Sequence, residues 1–473
     1  MSGTTILEAI RRQAEQNPAA PALLIADKMG ANSVSYGALL KLIRGFAGHL
    51  LEQGIAGADR IMLPMAAGDH AAVIAYLGTL WAGGVAVPYD PAQSAAALTQ
   101  LTLRTGGRQV PDIDAVLFMD LPPGPAAPLA KADALAELVF SSGTTGEPKG
   151  VMLTHANIAA SAAMIAGVIG NGPNDREVVT VPLTHSFGLG RIRSVLIAGG
   201  ALQLMPGLHF PGAALAALQA GATGLSCVPV GLALLQTAAQ GDLAAYAPAL
   251  RYLELGSAPM SAAAKRALCD ALPGVRLWMH YGLTEASRST FLRLDSSDPL
   301  ESVGRISPGV ELVVRQEDGT PARTGAGGIV HLRGPHVASG YWNDGALTAN
   351  RIDAQGWLDT RDEGWVDADS YLYLTGRADD QINVGGEKLS PVMVETAAQT
   401  HAQVTEAACI GMYDPVLGEV PRLFVVLTGD TMPDDILSHI AGQVPAYAVP
   451  HDVTALVALP RTASGKLQRN KLR

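Results

Sequence analysis

The chain has 473 residues, with 33 Lys and Arg against 43 Asp and Glu, for a net charge of −10. Such a surface has no long-range attraction for nucleic acid or anionic lipid, so any phosphate must be captured by a local site. Hydrophobic residues at 48 % against 16 % charged exclude a disordered chain and supply core for two or three domains.

Ile6, Ile10 and Ala14 recur at helical spacing between charged residues, which predicts an amphipathic helix rather than a secretory signal. A helix near 36–54 and a strand at 60–65 follow. The uncharged stretch 71–89 is long enough to span a bilayer, but Gly83, Gly84 and Pro88 interrupt it. It reads as a buried helix near 69–82 and a strand at 85–88, with no stable membrane insertion. A proline-rich loop at 121–134 leads into the strand ELVF. Further strands are expected at 178–183, within 221–229 and at 251–256. This alternation predicts α/β layers with substantially parallel sheet. From about 310 the pattern turns β-rich, with a hairpin around Asp318-Gly319. A helix from Pro391, two strands and a helix near 433–442 then predict a small α+β domain over 379–473, beside a large domain over 1–378. Cys227, Cys269 and Cys409 are few and far apart, which fits a reducing compartment, and the expected location is the cytoplasm.

The strongest local signal is Ser141-Ser142-Gly143-Thr144-Thr145-Gly146-Glu147-Pro148-Lys149-Gly150, entered from a hydrophobic strand. Glycines let backbone N–H groups turn toward an anion, and the hydroxyls and Lys149 add donors, so the string is suited to a polyphosphate. The spacing is not that of the common P-loop, because Lys149 precedes a strand-like segment and not a helix.

With the motifs that follow it, the chain resembles the adenylate-forming superfamily of acyl-CoA synthetases, adenylation domains and beetle luciferases. These are PLTHSFGLG at 182–190, GSAPMS at 256–261, YGLTEASR at 281–288, GRISPG at 304–309 and GYWND at 340–344. Then come the run from Gly356 to Pro391 and the terminal PRTASGKLQRNKLR. The resemblance covers nearly the whole chain. It implies a large N-terminal domain of layered α/β subdomains with a β-rich subdomain, plus a small mobile α+β C-terminal domain.

The implied activity is ATP-dependent ligation of a small-molecule carboxylic acid to coenzyme A through an acyl-adenylate. Charge builds on the phosphoryl oxygens in that step, so cations and donors must be placed there in advance. By resemblance, Ser142, Thr144, Thr145 and Lys149 hold the outer phosphates, and Thr284 contacts the α-phosphate. Glu285 coordinates Mg²⁺. Gly256, Ser257, Ala258, Tyr281 and Gly282 line the nucleotide, while Asp362 and Arg377 bind the ribose. Lys466 bridges the acyl carboxylate and the α-phosphate. His185 falls where the family walls and gates the acyl site. Asp379 takes the hinge position, and Gly385, Gly386, Glu387 and Lys388 form the loop used for thioester formation. Two alternatives stand beside this reading: loading of a separate carrier protein's phosphopantetheine, and a nucleotide-binding protein without turnover.

The acyl pocket is expected among His185, Phe187, Gly188, Val228, Pro229, Gly256, Gly282 and Arg288, with Gly256 and Gly282 leaving room for substrate. Arg191 and Arg193 follow on a helix and are expected at the surface or toward phosphate, with pairing to a second substrate carboxylate as the alternative. The chain departs from the family in three places. Arg361 stands where many members have glycine, Gly327-Gly328-Ile329 replaces Gly-Glu-Leu, and the segment between Pro91 and Leu138 is short.

Overall fold

The computed structural model describes residues 5–27, 30–55, 57–110, 113, 124–141, 148–207, 210–429, 431–462 and 465–472. Thr5 and Glu8 form a reciprocal capping box that opens the amphipathic helix Ile6–Gln16, whose Ile6, Leu7, Ile10 and Ala14 are buried. Such a cap contributes about 1 kcal/mol.

The residues divide into two compact units: Met1–Glu311 with Leu332–Leu358, and Leu312–His331 with Asp359–Arg473. In the first unit a nine-stranded sheet carries a parallel centre. Arg276–Tyr281, Tyr252–Leu255, Gly224–Cys227, Arg176–Val179 and Ala201–Leu204 run side by side. Antiparallel strands Thr290–Arg293 and Arg305–Ile306 extend one edge, and Pro21–Asp27 with Gly30–Ser35 extends the other. Of these, the Pro21–Ser35 pair and the strands Ala201–Leu204, Arg276–Tyr281, Thr290–Arg293 and Arg305–Ile306 have no counterpart among the expected elements. A six-stranded sheet contains Val85–Tyr89, Leu135–Ser141 and Lys149–Thr154. The uncharged stretch splits as expected into the helix His70–Trp81 and the strand Val85–Tyr89. Among the described residues no helix is long and apolar enough to cross a membrane.

The strand expected at 178–183 is shorter, ending at Val179. Pro182 has no N–H for a ladder. Thr180 nevertheless stays registered, donating both its N–H (3.1 Å) and its hydroxyl (3.0 Å) to the Ser226 carbonyl.

In the second unit Glu311–Arg315, Gly328–Arg333, Leu358–Val366 and Leu372–Arg377 form a four-stranded sheet. The expected turn at Asp318-Gly319 is present, with Gly319 at φ +81° and a bridge between Arg315 and Pro321. A further sheet pairs the long strands Val404–Asp414 and Gly418–Leu427, with Ile382–Val384 and Glu387–Leu389 beyond. The helices Pro391–Gln399 and Pro433–Ala441 bury Val394, Ile436 and Ile440 in the core of this part.

Candidate active site

In the first unit the loops that carry the motifs leave the carboxyl ends of adjacent parallel strands. Tyr252–Leu255 and Arg276–Tyr281 pair with Leu255 opposite Met279. Gly256 therefore follows one strand beside His280, and Tyr281 ends the other. Ser257 then adopts φ +69°, a left-handed conformation unusual for a residue with a side chain. Tyr281, Gly282 and Thr284 are half-buried and Glu285 is 9 % exposed. Tyr341, from the GYWND motif, donates its hydroxyl to Glu285 Oε1 at 2.8 Å, and the Ala338 N–H donates to the Glu285 carbonyl at 2.8 Å. Glu285 is thus held both at its carboxylate and at its backbone carbonyl.

The strands that flank the phosphate string in sequence, Leu135–Ser141 and Lys149–Thr154, pair antiparallel, with Ser141 opposite Lys149 and Phe140 opposite Gly150. Ser142, Thr144 and Thr145 lie outside the described residues. Lys149 is half-buried at the start of the return strand, and a Cβ on Gly150 would stand 2.9 Å from the Phe140 ring.

Two expectations about the acyl side are corrected. Gly256 and Gly282 do not leave space for substrate. A Cβ at Gly256 would lie 2.1 Å from the His280 ring, and one at Gly282 would lie 1.5 Å from the Ser287 carbonyl oxygen. Both glycines are consumed by close packing of the protein on itself. Arg191 and Arg193 are not at the surface, nor do they stand ready for a substrate acid. They are 0 % and 1 % exposed. Arg191 grips Glu177 through Nε (2.7 Å) and Nη2, and its Nη1 lies 3.2 Å from Glu254 Oε2. Arg193 Nη1 donates to Glu137 at 2.6 Å, and Tyr76 donates to the same carboxylate at 2.8 Å.

Arg288 is likewise buried and committed, with Nε 3.1 Å from Glu254 Oε1. The His280 Nδ1 lies 2.8 Å from that same oxygen, outside hydrogen-bond geometry. Burial would push Glu254 upward, but Arg288 and then Arg191 hold its carboxyl well below the usual range. Burial, and next Glu254 against it, sets His280, whose net shift is downward, toward the neutral ring. The cluster of Glu177, Glu254, Arg191 and Arg288 is therefore balanced without a charge on His280. Sequence reasoning missed Glu254, Glu177 and His280. The available signal was a single acidic residue within the otherwise uncharged strand Tyr252–Leu255, and another beside the apolar pair Val178–Val179.

His185 is half-buried immediately before the helix Ser186–Ile197, and Phe187 is buried with its ring edge-on to His280 at 4.7 Å. Gly188 packs on the Pro182 carbonyl, Val228 is buried, and Pro229 opens the helix Pro229–Ala238.

In the second unit Asp362 and Arg377 face each other across antiparallel strands, with Nη1 and Oδ1 3.6 Å apart. Arg361 takes φ +64°, which explains why a glycine serves at this position. Its Nε and Nη2 reach Asp379 Oδ1 at 3.2 and 3.0 Å. Asp379 lies in the 3₁₀ turn Ala378–Asp380. Gly385 (φ +61°) and Gly386 (φ +99°) turn the hairpin between Ile382–Val384 and Glu387–Leu389, and Lys388 Nζ pairs with Glu317 at 2.9 Å. Lys466 is exposed on a tight turn. The Thr462 N–H donates to the Lys466 carbonyl (2.8 Å), the Lys466 N–H donates back to the Thr462 hydroxyl (3.1 Å), and Gly465 takes φ +82°. Arg461 braces the turn by donating to the Gly465 carbonyl at 2.8 Å and pairing with Glu406.

The AMP-binding enzyme family matches residues 10–110 and 101–342, and the AMP-binding enzyme C-terminal domain matches 393–466. The chain is 30 % identical to the sulfoacetate–CoA ligase of Cupriavidus necator, over 99 % of this chain and 97 % of that protein. It is 32 % identical to a 2-succinylbenzoate–CoA ligase of Bacillus thuringiensis over 76 % and 75 %. ATP-bound MatB from Rhodopseudomonas palustris superposes with a TM-score of 0.88 at 25 % identity, covering 99 % and 98 %. The o-succinylbenzoate CoA synthetase of Bacillus subtilis, holding its acyl-adenylate, shares the fold at 0.89 and 24 %, covering 100 % and 99 %. The chain belongs to the AMP-binding enzyme family, within the adenylate-forming superfamily. It is an AMP-forming ligase that activates a carboxylic acid with ATP as the acyl-adenylate and passes the acyl group to the thiol of coenzyme A.

Proposed function

We propose that nucleotide and acid meet where the 256–258 and 281–285 loops emerge together, with Tyr281 and the backbone from Gly256 to Ala258 flanking the adenine. The observation that carries this reading is the placement of both loops at the carboxyl ends of adjacent parallel strands, the usual ligand position of an open α/β sheet. Ser142, Thr144, Thr145 and Lys149 cradle the outer phosphates, and Thr284 meets the α-phosphate. Glu285 supplies a hard oxygen donor, and Mg²⁺ is commonly held by one or two carboxylates together with substrate phosphates. The rigid Glu285 carboxylate fits that ion, which would neutralise charge on the phosphates.

Asp362 accepts from the ribose hydroxyls beside Arg377. Lys466, presented on its braced turn, neutralises the acid carboxylate and the α-phosphate as the acid oxygen attacks phosphorus and pyrophosphate leaves. A 379–473 domain then pivots at Asp379, and the Gly385–Lys388 hairpin takes over for attack of the thiol on the acyl carbonyl, with AMP leaving. His185 walls the acid. The Arg191, Arg193 and Arg288 guanidiniums are held by internal carboxylates, so they are not available to read a second substrate acid group. The cytoplasm, where ATP and coenzyme A are supplied, is the proposed location, and Cys227, Cys269 and Cys409 are all unpaired.

The test is pyrophosphate release across a panel of mono- and dicarboxylic acids that includes sulfoacetate and 2-succinylbenzoate. It is followed by thioester detection with coenzyme A and, separately, with a phosphopantetheinylated carrier protein. Acid-dependent release and a coenzyme A thioester are expected. Release without any coenzyme A thioester, or thioester only on the carrier, would overturn the choice of acceptor.

A further inference from the structure

The buried Arg288 sits in a place that fold stability alone does not favour. Its guanidinium lies against the first turn of the helix Ser186–Ile197, donating from Nη1 to the Ser186 carbonyl and from Nη2 to the Phe187 carbonyl, each at 3.0 Å. The first turn of a helix carries the positive end of its dipole, which disfavours a cation. Burial further disfavours the charge, and Arg288 is shifted downward by that desolvation. Glu254 offsets both effects through Nε at 3.1 Å. The helix is also shaped around the guanidinium: a Cβ on Gly190 would lie 2.1 Å from Arg288 Nη1. The Phe187 ring covers the guanidinium at 4.8 Å.

We propose that Arg288 is a positioning residue that ties the acid-side wall of the site to its nucleotide side. One planar fork reaches three acceptors on two elements. Two are the opening carbonyls of the helix that follows His185. The third is the carboxylate of Glu254, two residues before Gly256. Arg288 itself closes the 281–288 segment that begins with Tyr281. The three segments assigned to acid, adenine and phosphate therefore share one rigid node. A lysine carries one compact charge and cannot satisfy three separated acceptors in a plane. What the walls hold rests on the proposed function; that Arg288 fixes them does not.

The test compares the parent enzyme with Arg288→Lys and with Gly190→Ala/Arg288→Met. The double variant fills the volume vacated by the fork, improves helix propensity and leaves Glu254 beside Arg191. Hydrogen exchange is read over residues 186–190, with 158–165 of the helix His155–Ile169 as internal control. Exchange over 186–190 is expected to quicken about tenfold in the folded double variant, with the control unchanged. With sulfoacetate or 2-succinylbenzoate as probe acid, the acid KM is expected to rise at least about fivefold while the ATP KM stays within about twofold. Arg288→Lys should fall between parent and double variant. Parent-like exchange over 186–190 in a folded double variant overturns the proposal, as does an acid KM within about twofold of the parent. Should no acid on the panel release pyrophosphate with the parent, the functional reading fails and the exchange measurement alone decides the role of Arg288.

Discussion

Arg361→Gly tests the backbone and the ion pair of the Asp362 loop at once. A left-handed conformation costs a non-glycine residue roughly 1–2 kcal/mol, and φ is +64° here. Glycine removes that strain but adds about 0.4–1 kcal/mol of unfolded-chain entropy. It also deletes the pair with Asp379, whose side chains are 38 % and 32 % exposed. Such a pair is worth about 0.2–1 kcal/mol. The terms nearly cancel, so Arg361→Gly should match the parent within about 0.5 kcal/mol. Arg361→Ala keeps the strain and loses the pair, so it should be the less stable variant, by about 0.2–1 kcal/mol against the parent. Urea unfolding followed by tryptophan fluorescence reports on this region, because Trp365 stacks on Tyr373 with centroids 4.2 Å apart. High salt should close part of the parent's advantage over Arg361→Ala, since the lost pair is exposed. An alanine variant as stable as the glycine variant would refute the strain argument. An unchanged gap in high salt would refute the ion-pair argument.

Lys466→Ala should abolish acid-dependent pyrophosphate release, or nearly so, while the melting temperature stays at the parent value, because the side chain is exposed on a turn held by backbone contacts. Arg191→Met should lose about 3–5 kcal/mol by leaving Glu177 uncompensated, seen in the urea midpoint, with no change in preference between mono- and dicarboxylic acids. His155 and His336 are pushed down to about 4 by burial. Both are neutral in the fold and protonate near pH 6.5 when unfolded, so their stabilisation is complete above that pH and is lost as pH falls toward 4. His336→Gln should flatten this loss by up to about 3 kcal/mol in urea titrations at successive pH values; an unaltered slope would count against a neutral buried ring.

Amphipathic spacing at Ile6, Ile10 and Ala14, the breakers at Gly83, Gly84 and Pro88, and the turn at Asp318-Gly319 are local signals, and the corresponding elements formed where the sequence placed them. The strand at 178–183 was overread because its apolar run continues past the point where Pro182 ends the ladder. Motif order sufficed to name the family, since each motif is a contiguous string whose chemistry depends on its own residue types. The fates of Arg191, Arg193 and Arg288 were not legible. A charged residue's partner lies far along the chain, 14 positions away for Arg191 and Glu177 and 34 for Arg288 and Glu254. Nothing local distinguishes an arginine aimed at substrate from one locked to a carboxylate on another strand.

Sequence alone determined the class of chemistry and the alternation of strand and helix, and it supplied the phosphate string, Glu285, Asp362 and Lys466 as the residues proposed for the site. Only tertiary structure decided that Gly190 and Gly256 make room for Arg288 and His280, and that Glu254 pairs with Arg288. The physical reason is that backbone propensity and motif chemistry are read within a few residues, whereas the free energy of a buried charge is set by which distant groups replace its water.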